Sequence, residues 1–142
     1  MEIFLGYSSQ RQDIADHLSV IIEENGMIPL HWNDPGLFRP NSSIFHTLIE
    51  ISKRKTLKGA IFIFSEDDNI SSTGKGNLTL QPRDNVLIEF GLFVGSLGIH
   101  KSIICKYGSP KMAIDLAGII YINLNEKAKS KLELSKWLHE IK

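Results

Sequence analysis

Apolar positions along this chain alternate between runs that suit strands and spacings that suit helices. Residues 2–6 (Glu-Ile-Phe-Leu-Gly) are a short apolar run closed by a glycine, as in a buried strand. Helical spacing comes next, with Ile14, Leu18, Ile21 and Ile22 on one face, Ser8-Ser9 placed to cap the start and Gly26 to stop the end. Residues 27–32 read as a second strand, and Pro29, which cannot donate to a ladder, assigns it to a sheet edge. Residues 33–40 hold two prolines and Gly36 and form a loop. Asn41 to Ser43 can cap a helix with Ile44, Leu48 and Ile51 inward. Residues 59–64 are nearly all apolar, as a central parallel strand requires. Residues 65–81 are polar and Gly/Ser-rich and read as a long loop. Pro82 suits the first position of a helix that runs to about Leu97. Residues 102–107 and 118–124 are further strands, and 126–141 a last helix with Leu132, Leu138 and Ile141 inward.

Five apolar strands joined by crossovers predict an α/β fold in one domain, 1–142: a doubly wound five-stranded parallel sheet of order 2-1-3-4-5. Ligands in such sheets bind beyond the carboxyl ends of the strands, where strand order reverses. Here that crevice falls between the loops after strands one and three, so residues 6–9 and 65–68 are expected at its rim.

Composition narrows the function classes. The chain has 142 residues, 42% hydrophobic, with 16 basic and 16 acidic side chains. That balance excludes disorder and argues against nucleic-acid binding through bulk charge. One cysteine, Cys105, excludes a disulfide framework, and neither it nor the spacing of the five histidines suggests a metal site. The longest apolar stretch, 86–97, is interrupted by Glu89 and falls short of the roughly 20 residues of a membrane span. The N-terminus lacks the basic start of a signal peptide, so a cytoplasmic location is expected.

The most informative stretch is 82–98, PRDNVLIEFGLFVGSLG. On a helix, Val86, Phe90, Phe93, Val94 and Leu97 form one apolar stripe and Ile88 and Leu92 a second. Gly91 and Gly95 share a stripe suited to close packing. Glu89 falls at the border, one turn from Asn85. Among so many apolar neighbours its carboxylate either has partners, has a raised pKa or faces a wet cleft; the plainer readings are an ordinary outer-face glutamate or a structural glutamate capping a loop.

This stretch resembles the signature of bacterial TIR-like domains of antiphage effectors: Arg-Asp-Asn-Val, then Glu, Gly-Leu-Phe and Gly-x-Leu-Gly. IFLGYSS (3–9), HWNDPGLFRPNSS (31–43), AIFIFSEDD (60–68) and AIDLAGIIYI (113–122) are similar to further family segments in the same order. The last departs from the family by having Ala113-Ile114 where Pro-Ser often stands. The likeness spans nearly the whole chain. It is greatest to TIR domains fused to STING-like sensors in CBASS defence and to TIR effectors of Pycsar systems. The resemblance implies the TIR fold, a flavodoxin-like arrangement, and cleavage of the nicotinamide–ribose bond of NAD+ with Glu89 as the catalytic carboxylate. It also implies self-association and a cyclic-nucleotide sensor domain in cis or trans.

The chemistry suits such residues. Nicotinamide departs neutral, and the ribosyl centre passes through an oxocarbenium-like transition state. One carboxylate can stabilise that cation through the ribose hydroxyls or attack the anomeric carbon itself, and no metal or prosthetic group is needed. Phe4 and Trp32 are candidates for stacking on nicotinamide or adenine, with core packing the stronger reading for Phe4. Gly6, Tyr7, Ser8 and Ser9 offer backbone donors and hydroxyls at a helix start, for ribose or phosphate or as a plain cap. Arg83 can meet a phosphate. Asp84 can do site work or favour the helix dipole. Asp67 and Asn85 complete the candidate substrate contacts, with loop ordering alone the other reading for Asp67 and its neighbour Asp68. NAD+ is thus the expected substrate, with no membrane or nucleic-acid partner.

Two other readings share these residues. Nucleoside deoxyribosyltransferases also break an N-glycosidic bond with a glutamate after a central strand. A non-catalytic TIR module would instead use the 33–40 loop and the 82–97 helix as interfaces. The apolar residues on both sides of that helix suggest a site finished by assembly.

Overall fold

The computed structural model describes residues 1–71, 78–81, 84–110, 116 and 118–142. In chain order the elements are β1 (Glu2–Gly6), a 3-10 turn (Ser9–Arg11), α1 (Gln12–Glu24), β2 (Ile28–His31), α2 (Ile44–Ser52) and β3 (Leu57–Ser65). They continue with β4 (Asp67–Ser71), β5 (Leu78–Gln81), α3 (Asp84–Leu97), a second 3-10 turn (Ile99–Lys101), β6 (Ser102–Tyr107), β7 (Ile122–Asn123) and α4 (Lys127–Glu140). The main sheet is parallel with order β2-β1-β3-β6-β7, which is the expected 2-1-3-4-5 arrangement. β2, which carries Pro29, lies at its edge.

Two apolar clusters flank the sheet. One joins Ile3, Leu5, Ile61 and Ile63 to Leu18 and Ile22 of α1 and Leu134 and Leu138 of α4. The other joins Phe4, Phe62, Phe64 and Ile104 to Leu48 and Ile51 of α2 and Val86, Phe90 and Phe93 of α3. The split results from β pleating, since alternate residues of β1 and β3 point to opposite faces. Fully burying each such side chain is worth roughly 1.5–3 kcal/mol, so the two clusters hold the helix layers to the sheet. Cys105 is buried in the first cluster, where desolvation pushes its thiol pKa up and makes it a core residue.

Several expectations need correction. The region read as one long loop contains an antiparallel ribbon, β4 paired with β5, with Asp67 opposite Gln81. Its polar, Gly/Ser-rich composition reads as loop, and the two strands are only five and four residues long. The last strand shrinks to Ile122–Asn123, and Ile120 is exposed. At the last helix Leu138 is inward as expected and Ile141 packs against the same cluster, but Leu134 takes the inward place expected of Leu132, which is 73% exposed. In α2, Ile44 is exposed and Thr47 takes its place inside, because the helix starts with Ile44 in its first turn, beyond the sheet. Ser43 does cap α2, its hydroxyl accepting from the His46 N–H at 3.0 Å. Among the described residues no helix is long and apolar enough to cross a membrane.

Candidate functional site

The site begins with pleating. Phe4 and Gly6 of β1 face the α2/α3 layer, whereas Leu5 and Tyr7 belong to the α1/α4 side. α3 crosses the first face, with Phe90 edge-on to Phe62 and Phe64 at 5.6 and 5.9 Å. That anchorage, one residue after Glu89, brings the Glu89 carboxylate to the carboxyl end of β1. A Cβ placed on Gly6 would stand 3.1 Å from Glu89 Oε2 and 2.6 Å from the Phe62 ring. Only a glycine lets strand, ring and carboxylate share this space.

Glu89 is 8% exposed. Burial pushes its carboxyl pKa up from 4.5 to about 7. Among the readings open from sequence, the outer-face glutamate is thereby excluded. The carboxylate lies on the β1–β3 side of the sheet, where strand order reverses.

Two buried polar atoms at neighbouring strand exits have no hydrogen-bond partner among the described residues, Ser8 Oγ and Trp32 Nε1. Ser8 occupies the cap position of the first 3-10 turn, but its side chain makes no capping bond. The expected cap is therefore absent, and a hydroxyl only 3% exposed is left unused. Trp32 packs between the two clusters, edge-on to Tyr7 at 6.1 Å. An unsatisfied buried donor costs roughly 1–3 kcal/mol unless a ligand or water meets it.

Other expected contacts are placed elsewhere. Phe4 is fully buried and stacks on Phe93 at 4.5 Å, so its ring has no free face for a ligand and core packing is its role. Tyr7 faces away from Glu89. Its hydroxyl lies 2.6 Å from His31 Nδ1, 3.1 Å from Gln12 Oε1 and 3.2 Å from Asn33 Oδ1. Ser19 donates to the Ala15 carbonyl and lies 2.7 Å from His31 Nε2, so the imidazole bridges Tyr7 and Ser19. Tyr7 thus fixes the β1 and β2 exits to α1, and burial pushes its pKa up to about 12. Ser9 is exposed in the 3-10 turn, and Asn85 is exposed on α3, one turn before Glu89. Asp67 starts β4 and Asp84 starts α3, with side chains outside the described set, as is that of Asp68; Arg83 lies wholly outside the described residues. The close packing expected at Gly91 and Gly95 is absent, since a Cβ on either would find nothing within 4 Å.

A residue not anticipated from sequence is Arg11. It donates from Nε to Ser65 Oγ at 3.0 Å and from Nη2 to the Glu66 carbonyl at 2.7 Å, across the β1–β3 gap. Its signal in the sequence was only its place in the first turn after the β1 exit. A separate cavity of about 240 Å³ lies between α1 and α4, lined by Asp13, His17, Tyr107 and Lys127 among others, and does not include Glu89.

Comparisons with known proteins identify the family of the chain. Residues 2–126 match the family described as CAP12/Pycsar effector protein, TIR domain. The chain is 30% identical over 129 residues to CD-NTase-associated protein 12 of Lachnospiraceae bacterium (strain RUG226), covering 91% of this chain and 39% of that protein. It is 32% identical to CD-NTase-associated protein 12 of Flavobacterium daejeonense, covering 82% and 36%. It is 25% identical to Pycsar effector protein BcPycTIR of Burkholderia cepacia, covering 86% and 39%. The chain therefore spans less than two fifths of the length of each of these relatives.

Proposed function

The chain belongs to the TIR-domain family of CAP12 and Pycsar effector proteins, and from that premise we propose that it is an NAD+ glycohydrolase module of a bacterial antiphage system. What carries the reading is the Glu89 carboxylate, held in a dry setting against the β1 exit at the reversal of strand order. In the proposed reaction the bond between ribose C1′ and the nicotinamide nitrogen breaks, and its electron pair stays on the nitrogen. Nicotinamide leaves neutral. A water oxygen then bonds to C1′ and releases a proton, giving ADP-ribose. Glu89, ionised, faces the positive charge that grows on the ribosyl centre and accepts from its hydroxyls. In low-dielectric surroundings that charge is worth far more than in water. Ser8 Oγ and Trp32 Nε1 are donors without protein partners at neighbouring strand exits, suited to ribose or phosphate oxygens.

Low exposure of Glu89 supports a resting state in the isolated chain. The proposed trigger is self-association, directed by a cyclic-nucleotide sensor in cis or trans, of the STING-like or Pycsar kind. The names of the relatives tie them to nucleotide synthases and to Pycsar. Exposed Ile88 beside Glu89 on α3, and Ile44 and Phe45 on α2, offer apolar surface for such packing.

The test is NAD+ consumption by wild type and Glu89→Ala, dilute and artificially clustered, with products separated by chromatography. Nicotinamide and ADP-ribose from clustered wild type alone are expected. Equal turnover by Glu89→Ala, or cleavage of deoxynucleosides in place of NAD+, overturns the reading.

A further inference from the structure

We infer that Arg11 is a positioning residue for Glu89, an inference that rests on Glu89 being the reacting carboxylate. Arg11 closes the 3-10 turn that succeeds β1. Hydrogen bonds from it reach Ser65, the last residue of β3, and the carbonyl of Glu66. Its guanidinium carbon also sits 5.5 Å from the centre of the Tyr107 ring at the end of β6. One side chain thus joins the exits of three strands.

The grip on Glu66 matters because of this residue's place in the chain. Glu66 is the single residue between β3 and the β4–β5 ribbon, whose foot is the Asp67–Gln81 pair. Gln81 precedes the start of α3 at Asp84 by three residues, and Glu89 stands in the second turn of that helix. Glu66 is also held from its other end. Its carboxylate accepts from the Ser109 N–H, and it lies against Gly108, whose φ of 73° and crowded Cβ position both favour glycine. Fixing Glu66 fixes the foot of the ribbon and so the entry of the chain into α3.

Guanidinium chemistry is suited to this task. Nε and Nη2 sit on one rigid plane and reach two acceptors at once while the face rests on an aromatic ring. A lysine ammonium is a single point on a flexible stem and cannot reproduce that fork.

The experiment uses Arg11→Lys and Arg11→Ala beside wild type. Amide hydrogen exchange is read over β4 and α3, the Glu89 carboxyl is titrated by carbon NMR, and NAD+ kinetics are measured on clustered protein. Faster exchange in both elements is expected, with the Glu89 midpoint falling from about 7 toward 4.5 as α3 loosens. A loss of kcat of about tenfold or more is expected, with KM changed by less than about threefold and no rescue by lysine. If Arg11→Ala does not fold, Arg11→Lys decides. Unchanged exchange and titration, full activity with lysine, or a raised KM at constant kcat each overturn the inference. If wild type cleaves no NAD+, the functional reading fails, whereas exchange and titration still decide whether Arg11 places Glu89.

Discussion

The carboxylate of Glu89 rests so near the backbone of Gly6 that a Cβ on Gly6 would stand 3.1 Å from Oε2. The same Cβ would enter the Phe62 ring, at 2.6 and 2.7 Å. Gly6→Ala is therefore expected to lower stability by about 1–3 kcal/mol through overpacking. It is also expected to cut NAD+ cleavage more than Arg11→Lys does, since it displaces the carboxylate directly. Thermal melts and single-turnover assays on the same preparation check both halves.

The raised pKa gives the reaction a pH profile. In the proposed reaction the ionised form of Glu89 is the active one, so kcat/KM should fall as pH drops through about 7. Bound NAD+ brings a pyridinium charge that favours the carboxylate, so the fall in kcat should come at lower pH than that in kcat/KM. A flat profile between about pH 5.5 and 8 in both parameters would count against Glu89.

Stability should take the opposite course. The folded-state pKa of Glu89 lies above its unfolded value, so its contribution is greatest below about 4.5 and is lost as pH rises through about 7. A rise from 4.5 to about 7 is worth roughly 3 kcal/mol at the alkaline end. Glu89→Gln, which cannot ionise, should melt several degrees higher than wild type at about pH 8.5 and almost equally at about pH 4.5. Paired calorimetric scans at the two pH values test this.

Ser8→Ala separates folding from binding. The hydroxyl has no partner in the fold, so its removal should leave stability unchanged or raise it by about 1 kcal/mol. KM for NAD+ should rise about fivefold to twentyfold, the worth of one hydrogen bond to ligand. Trp32→Phe should behave alike at Nε1, with little loss of packing. Destabilisation by Ser8→Ala with an unchanged KM would show the hydroxyl to be structural.

Much of this was readable from residues. The strand order came from five apolar runs with helical spacing between them, and the β2 edge from Pro29. Glu89 stood out as an acid among apolar neighbours. What escaped depended on partners distant in sequence. Arg11 and Ser65 are 54 residues apart, and nothing in a short window marks either as half of a bridge. Tyr7 looked like a ligand contact because it lies in the right loop, yet pleating turns it to the opposite face. Leu132 fits a helical stripe in α4, but the core covers only the Leu134 and Leu138 line of that helix.

The ribbon between β3 and α3 leaves the sheet and comes back to its own point of departure, with Asp67 opposite Gln81. Because entrance and exit are paired with each other, the helix that bears Glu89 begins three residues after a backbone partner of the β3 exit, and a change at either Asp67 or Gln81 is felt at both ends of the excursion.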